Sequence, residues 1–302
     1  MNTATASSAT TSAAGHAVVS LDDWIARRRE LLAREKELTR LGDQVARERR
    51  ALPWVRIDKD YVFDTPDGPR SLADLFEGRR QLMVQHFMLG PGWEQGCKSC
   101  SYMADHLLGA EIHLQHRDVT VLLVSRAPLP EIERFRRRMG WPFKWASASG
   151  NDFNLDFHVS FPVGTRVGRE VFYNWHMTAF PKEEAPGISF FFKDDAGDVF
   201  HTYSTFGRGV EVMMGTYHLL DLAPKGRDEE RDEYGMAWLR HHDRYEPAAA
   251  PTSAGAAATT STIAASESTL STARSAAATT TANTASGLPM PGAASSCCAP
   301  NA

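Results

Sequence analysis

The sequence predicts an α/β fold built around a mixed sheet, on three observations. The apolar run at 119–125 is typical of a buried parallel strand, and helix-type periodicity precedes it at 103–114 and follows it at 129–140. With a strand at 81–89, this order is a βαβα unit, whose crossover joins parallel strands. Two β-rich runs within 188–206 flank a turn sequence and predict an antiparallel hairpin.

Composition divides the chain into five stretches. Residues 1–18 and 247–302 are dominated by Ala, Ser, Thr, Gly and Pro and cannot bury enough apolar surface to offset their ordering entropy, so we predict disorder. Between them we predict an N-terminal helix within 19–53, a main domain at 54–224 and a charged helical segment at 225–246.

The N-terminal helix has clear start and periodicity signals. Ser20 can cap its first turn, and Pro53 follows its end. Apolar side chains recur every seven positions along it: Trp24, Leu31, Leu38 and Val45. Such a stripe predicts packing on the main domain or on a second subunit, which would make the protein a homo-oligomer.

Shorter elements follow along the main domain. They are a strand at 61–63, a turn at 65–68, a helical turn at 72–76 and the strand at 81–89. Residues 143–185 are rich in aromatic side chains and are predicted to be an irregular insertion. An amphipathic helix at 209–222 is predicted to close the domain.

Charge and hydropathy exclude several classes of function. A net charge of −4 argues against a nucleic-acid-binding protein. No stretch approaches the ~18 apolar residues of a membrane span, and the start lacks the basic and apolar regions of a secretory signal. The predicted location is therefore the cytoplasm, without membrane association. There, a closely spaced cysteine pair indicates metal or redox chemistry before a structural disulfide.

Cys97 and Cys100, in the stretch QGCKSCSY, lie where the strand at 81–89 gives way to a helix. A helix N-terminus stabilises a thiolate through its unpaired N–H groups and its partial positive charge. In the first turn, residues three apart face the same way, so the two sulfurs can bond. The context favours a redox dithiol, with Cys97 as nucleophile and Cys100 as resolving thiol.

Two other interpretations of the pair stay open. The cysteines could have no joint role, or they could bind zinc, because His113 and His116 follow at nearly the spacing of a two-Cys, two-His finger. A haem anchor is excluded, since Ser101 stands where that motif requires histidine.

Four residues near the pair or the predicted hairpin are candidates for supporting roles. Trp93 is either a packing residue, the favoured interpretation, or part of the substrate site; Glu94 is likewise either a solvated surface group or a proton-transfer group; and Lys98 adds a cation beside the thiols. Pro186 precedes the hairpin and is either a strand-edge proline or a cis-proline facing the dithiol.

Several blocks of the sequence resemble the thioredoxin-like domain-of-unknown-function 899 family, whose members are described as predicted dithiol–disulfide oxidoreductases. The blocks are LLAREKELTR, RRALPWV, DYVFDTPDG, LADLFEGRRQLMVQHFML, GCKSCS and HTYSTFGRG. The resemblance spans about 28–245. It implies a thioredoxin-like fold, with a central mixed sheet flanked by helices, an N-terminal helical extension, and Cys97 and Cys100 as the redox pair.

The sequence also departs from better-known relatives. Thioredoxins resemble W-C-x-x-C, whereas Trp93 lies four residues before Cys97. Glu94 stands where peroxiredoxins carry threonine, so peroxidase chemistry is not predicted. The strand lacks the buried acid of thioredoxins, for which Glu94 or His86 are the available substitutes.

We therefore expect a thiol–disulfide oxidoreductase that acts on protein or small-molecule disulfides and thiols, with no cofactor and no metal ligand assigned. The alternative is a non-enzymatic thioredoxin-like binding module whose cysteine pair binds zinc or is vestigial. Cys297 and Cys298, in the predicted tail, are assigned no role.

Overall fold

A computed structural model describes residues 11–13, 15–161, 170–230 and 235–246 of the chain. The predicted tail at 247–302, with Cys297 and Cys298, lies outside these residues, as do residues 1–10 and 14 of the predicted disordered start. Residues 11–13 and 16–18 of that start pair as two short antiparallel strands, so the prediction of disorder is wrong there. In the described ranges, no helix combines the length and apolar character needed to cross a bilayer.

The described residues form twelve strands, six α-helices and three 3-10 helices. The strands are β1 (Thr11–Ala13), β2 (His16–Val18), β3 (Val55–Arg56), β4 (Val62–Thr65), β5 (Gly68–Ser71), β6 (Gln81–His86), β7 (Val119–Ser125), β8 (Trp145–Ser147), β9 (Glu170–Tyr173), β10 (His176–Ala179), β11 (Gly187–Lys193) and β12 (Val199–Phe206). The α-helices are α1 (Leu21–Arg50), α2 (Lys98–Asp105), α3 (Ala110–Gln115), α4 (Leu129–Arg138), α5 (Phe153–Asp156) and α6 (Gly215–Leu220). The 3-10 helices are Asp74–Phe76, Gly207–Met213 and His242–Arg244.

An eight-stranded mixed sheet organises the fold, in the order β3-β12-β11-β6-β7-β8-β4-β5. Strands β6, β7 and β8 are parallel, and the other pairings are antiparallel. The helices α2 and α3 connect β6 to β7, and the β11–β12 hairpin adds antiparallel to β6 on its other side. This is the predicted thioredoxin-like α/β arrangement, with α1 as an N-terminal extension.

Side chains alternate across the sheet and build a core on each face. Along β6, Met83 belongs to the cluster that includes Met103 of α2 and Phe135 of α4. Leu82 and Val84 belong to a second cluster, which includes Phe76 and Phe153. Helical segments thus cover both faces, and the C-terminal ends of the parallel strands meet at one edge of the sheet.

The predicted helix at 103–114 is wrong as a single element. The helix α2 ends at Asp105, and α3 begins at Ala110. Gly109 separates them with a left-handed φ of 82°, a conformation that breaks a helix and favours glycine.

The prediction that 143–185 is an irregular insertion is also wrong in part. It contains β8, which joins the central sheet beside β7, as well as the short helix α5. It also contains the β9–β10 hairpin, a separate two-stranded sheet.

Helices in the last third of the domain are shorter than predicted. The segment 209–222 forms a 3-10 helix to Met213 and then α6, rather than one helix. The segment 225–246 was predicted to be helical, but its described residues contain only the 3-10 turn His242–Arg244.

The first predicted helix forms as α1, and Ser20 caps it by accepting a hydrogen bond from the Asp23 N–H. However, no residue of α1 is buried, so the predicted packing of its apolar stripe on the main domain is wrong for the described residues.

Candidate active site

The two cysteines lie at the C-terminal edge of the parallel strands. The chain leaves β6 at His86, forms a loop and enters α2 with Cys97 as its N-cap. The Cys97 N–H donates to the Met88 carbonyl at 3.0 Å, which anchors the loop to the end of the strand. Cys97 is partly exposed and Cys100 is buried, and both are free thiols.

The surroundings of Cys97 favour its thiolate. Hydrogen bonding from the Cys100 thiol is the largest cause, and it acts with the N–H groups of Cys100 and Ser99 and with the positive charge of Lys182. Together they outweigh the effect of burial and lower the pKa of Cys97 to about 6. At neutral pH Cys97 is therefore mainly a thiolate.

Cys100 has the opposite character. Burial raises the pKa of its thiol, and the adjacent Cys97 thiolate adds to the rise. The Gln85 side chain donates to the Cys100 carbonyl at 3.0 Å in the core beneath the helix. The pair thus combines a partly exposed thiol whose pKa is lowered with a buried thiol whose pKa is raised.

Gly96 permits the close packing of the loop. A Cβ at this position would lie 2.5 Å from Phe87 Cε1 and 2.8 Å from Phe135 Cε1. The Gly96 carbonyl accepts a hydrogen bond from His241 Nε2 at 2.9 Å. Any side chain at 96 would therefore displace an aromatic ring of the core.

The last described segment packs against this loop. Besides His241, Asp243 pairs with Arg138 through two contacts of 2.8 and 2.9 Å, and Arg138 also donates to Gln95 at 3.2 Å. Sequence reasoning missed this, because no local pattern links the segment to a loop about 145 residues earlier.

The predicted supporting residues are placed unequally. Trp93 packs partly buried against the core, as a packing role requires, whereas Glu94 is exposed. Lys98 is partly exposed and is not among the groups that shift the pKa of Cys97; the contributing cation is Lys182, in the bend before β11. Lys182 carries no sequence signal, because only the fold brings it near.

Pro186 lies directly before β11, and its neighbour Gly187 pairs with His86 at the end of β6. No peptide bond in the described ranges is cis, and Pro186 immediately precedes β11, which lies between β6 and β12 in the sheet. Its carbonyl accepts a hydrogen bond from Tyr173 Oη at 2.8 Å, which ties the β9–β10 hairpin to this edge.

His86 packs on the opposite face of the sheet from the Cys100 side of β6. Its ring lies 5.7 and 5.9 Å from those of Phe153 and Phe157, and its Nε2 is 2.7 Å from Ser189 Oγ. Burial lowers the pKa of His86 to about 3, so it is neutral and is not a ready acceptor for the Cys100 proton.

Within the described ranges, no three His, Cys, Asp or Glu side chains converge on a point that could hold a metal. His113 lies on α3 and His116 caps its end. The zinc interpretation therefore lacks the further ligands that a closed tetrahedral site requires.

Several solved structures are similar to this chain at low identity. The peroxidoxin BcpB of Mycobacterium tuberculosis is 13% identical, with a TM-score of 0.34, over 52% of this chain and 91% of that one. A protein assigned as thiol:disulfide interchange protein DsbE of Chlorobium tepidum is 13% identical, with a TM-score of 0.33, over 57% and 100%. Peroxiredoxin Q of Xanthomonas campestris is 10% identical, with a TM-score of 0.33, over 56% and 96%.

No functionally curated protein matches the sequence. The model of one family, described as "Bacterial protein of unknown function (DUF899)", matches residues 13–245. The blocks that carried the resemblance in the sequence fall within this range, as do the dithiol and the whole central sheet. The chain is a member of the DUF899 family.

Proposed function

We propose that the protein is a thiol–disulfide oxidoreductase that uses Cys97 as nucleophile and Cys100 as resolving thiol. The observation that carries the proposal is the difference between the two thiols. Cys97 is partly exposed with a pKa of about 6, whereas burial raises the pKa of Cys100. A dithiol enzyme requires one thiol that is ionised and attacks the substrate disulfide, and a second thiol that later attacks the mixed disulfide.

The reaction begins with the reduced pair. The Cys97 thiolate attacks one sulfur of a substrate disulfide, the substrate S–S bond breaks, and the second substrate sulfur leaves as a thiolate. Cys97 and the retained substrate sulfur now form a mixed disulfide. The Cys97 charge that raised the pKa of Cys100 is gone at this stage, so Cys100 loses its proton more easily.

The Cys100 thiolate then attacks the Cys97 sulfur, the bond between Cys97 and the retained substrate sulfur breaks, and that sulfur leaves as a thiolate. Protons from solvent and from Cys100 neutralise the released thiolates. Two electrons pass from the protein dithiol to the substrate, which leaves a Cys97–Cys100 disulfide. The reverse sequence would oxidise a substrate dithiol.

Protein or small-molecule disulfides and thiols are the proposed substrates, and the exchange needs no cofactor. In the cytoplasm, the location that the sequence predicts, cellular thiols would keep the pair reduced. Reduction of substrate disulfides is then the proposed direction.

The test is the alkylation rate of the reduced protein by iodoacetamide as a function of pH. The wild type should show a reactive thiol with a midpoint at about 6. Cys97→Ser should lose this phase, and Cys100→Ser should keep a reactive thiol, with a somewhat higher midpoint, but accumulate a mixed disulfide with a small disulfide substrate.

A midpoint at the ordinary thiol value of ~8.5, together with failure to form the intramolecular disulfide under mild oxidation, would refute the proposal. Cys97→Ser is also the control for adventitious reactivity, because Cys297 and Cys298 remain in it.

A further inference from the structure

The helix α1 presents a long apolar stripe that nothing described in the chain covers. It has 30 residues, which corresponds to about 45 Å. Trp24, Leu31 and Leu38 are 55%, 54% and 71% exposed. Most helices in water derive their stability from packing an apolar face, so a stripe this long indicates a missing partner.

The stripe has the spacing of a coiled-coil helix. Four apolar residues stand seven apart, at Trp24, Leu31, Leu38 and Val45. Three positions before each of them lies a second set, Leu21, Arg28, Glu35 and Gly42. Alternating steps of three and four residues keep both sets on one face, where a second helix can pack along them.

Gly42 indicates which kind of side chain the partner packs against α1. Glycine inside a helix costs about 1 kcal/mol relative to alanine, and a Cβ at Gly42 would meet nothing within 4 Å. Nothing in the described chain therefore requires glycine here. A bulky side chain from another molecule would require glycine here if it packed on the helix backbone at this point.

Arg28 and Glu35 indicate the direction in which the partner helix runs. They pair within the helix at 2.8 Å, in the middle of the apolar stripe. A parallel second copy in register would set Arg28 against the partner's Arg28 and Glu35 against the partner's Glu35, which is unfavourable.

We propose that α1 pairs antiparallel with α1 of a second copy of this chain. In this alignment Trp24 packs over the partner's Gly42 and Leu21 lies opposite the partner's Val45. Arg28 lies opposite the partner's Leu38 and one layer, about 4.5 Å along the helix axis, from the partner's Glu35, so each helix supplies one positive and one negative group to the other. Large and small residues, and opposite charges, complement each other around one twofold axis.

This inference does not depend on the proposed function, because no residue of α1 belongs to the dithiol site. Its test is the molar mass of the full chain by sedimentation equilibrium, at loading concentrations of about 1 to 100 µM. The wild type should sediment as a concentration-dependent dimer. Leu31→Glu/Leu38→Glu should raise the dimer Kd by about tenfold or more.

The matched control is Ala26→Glu/Ala33→Glu, which adds the same charge on the opposite face of α1 and should leave the Kd unchanged. Gly42→Ala should raise the Kd, although alanine is the better helix former, because its methyl group occupies the space of the partner's Trp24.

Charge reversal tests the orientation. Arg28→Glu and Glu35→Arg should each weaken the dimer, and the double variant should restore it, because antiparallel pairing then has opposite charges again. In a parallel pair each single reversal would exchange one repulsion for another and leave the Kd unchanged.

Three results would overturn the proposal. These are a monomer at every concentration, a dimer insensitive to Leu31→Glu/Leu38→Glu, or single charge reversals without effect. The first would indicate that the stripe is covered by undescribed residues of the same chain or by a different protein. The second would place the dimer interface elsewhere, and the third would exclude the antiparallel alignment.

Discussion

Two helices of this protein begin at similar residues but lie in opposite environments, since α1 is exposed and α2 is mostly buried. Both α1 and α2 start at an N-cap residue with a small polar side chain, Ser20 in one and Cys97 in the other. The helix α1 runs for 30 residues without burying any of them. The helix α2 has eight residues, of which five are buried.

The difference shows what each helix depends on. Helix α1 is specified by local signals, its cap and its seven-residue period, which are readable in the sequence. Helix α2 is too short to be stable alone and is held by the sheet beneath it. The packing that stabilises α2 also creates its chemistry, because it buries Cys100 and leaves Cys97 at the surface.

The largest expected difference in the free energy of unfolding comes from replacing a leucine by alanine in each of the two regions. Leu107, which follows α2, is 4% exposed, whereas Leu38 in α1 is 71% exposed. Leu107→Ala should lower the free energy of unfolding by about 2–5 kcal/mol, because it leaves a cavity. Leu38→Ala should change it by no more than about 0.5 kcal/mol.

Urea unfolding at a protein concentration below the dimer range would measure both values. Equal losses in the two variants would mean that α1 is packed in the monomer, and the contrast drawn between the helices would be wrong.

Glycine gives a second contrast of intermediate size. Gly96→Ala forces its methyl group against Phe87 and Phe135, so we expect a loss of about 1–3 kcal/mol in the free energy of unfolding. Gly42→Ala meets no neighbour and should cause no loss. If Gly96→Ala unfolds like the wild type, the loop is less tightly packed than described.

The last contrast concerns reactivity rather than stability, in the chemistry that packing creates at Cys97. Cys100→Ala removes the thiol that is the largest cause of the lowered pKa of Cys97. The midpoint of iodoacetamide alkylation should therefore rise from about 6 towards the ordinary value of ~8.5. Cys100→Ser, which keeps a hydroxyl donor, should cause a smaller rise.

Lys182→Met should also raise this midpoint, by less, and the difference from wild type should shrink in high salt because the charge is screened. An unchanged midpoint in Cys100→Ala would show that the Cys100 thiol makes no contribution, and that the N–H groups of the helix N-terminus and Lys182 set the pKa of Cys97.

The parts of the fold that the sequence predicts are those with a strong local pattern. The strand at 119–125 forms as β7 with the predicted bounds, and the hairpin of β11 and β12 forms where the turn residues indicate it. Ser20 caps α1 as predicted. The position of Cys97 at a strand–helix junction follows from the same patterns.

The features of the fold and of the site that the sequence does not predict depend on tertiary contacts. The strand β8 has only three residues, too few to show a period, and exists because β7 offers it an edge. Lys182 reaches the site only because the fold returns the chain to this edge of the sheet. The apolar periodicity of the sequence also continues through Gly109, although the left-handed backbone of Gly109 breaks the helix there.

The hydrogen bond from His241 to the Gly96 carbonyl has a consequence for how the protein is made. A ribosome delivers the chain from its N-terminus, so the cysteine loop emerges long before the segment that packs against it. Contacts between residues so far apart in sequence form slowly, because a long loop must close first. The contact at Gly96 can therefore form only after His241 has been made, and until then the cysteine loop lacks this neighbour.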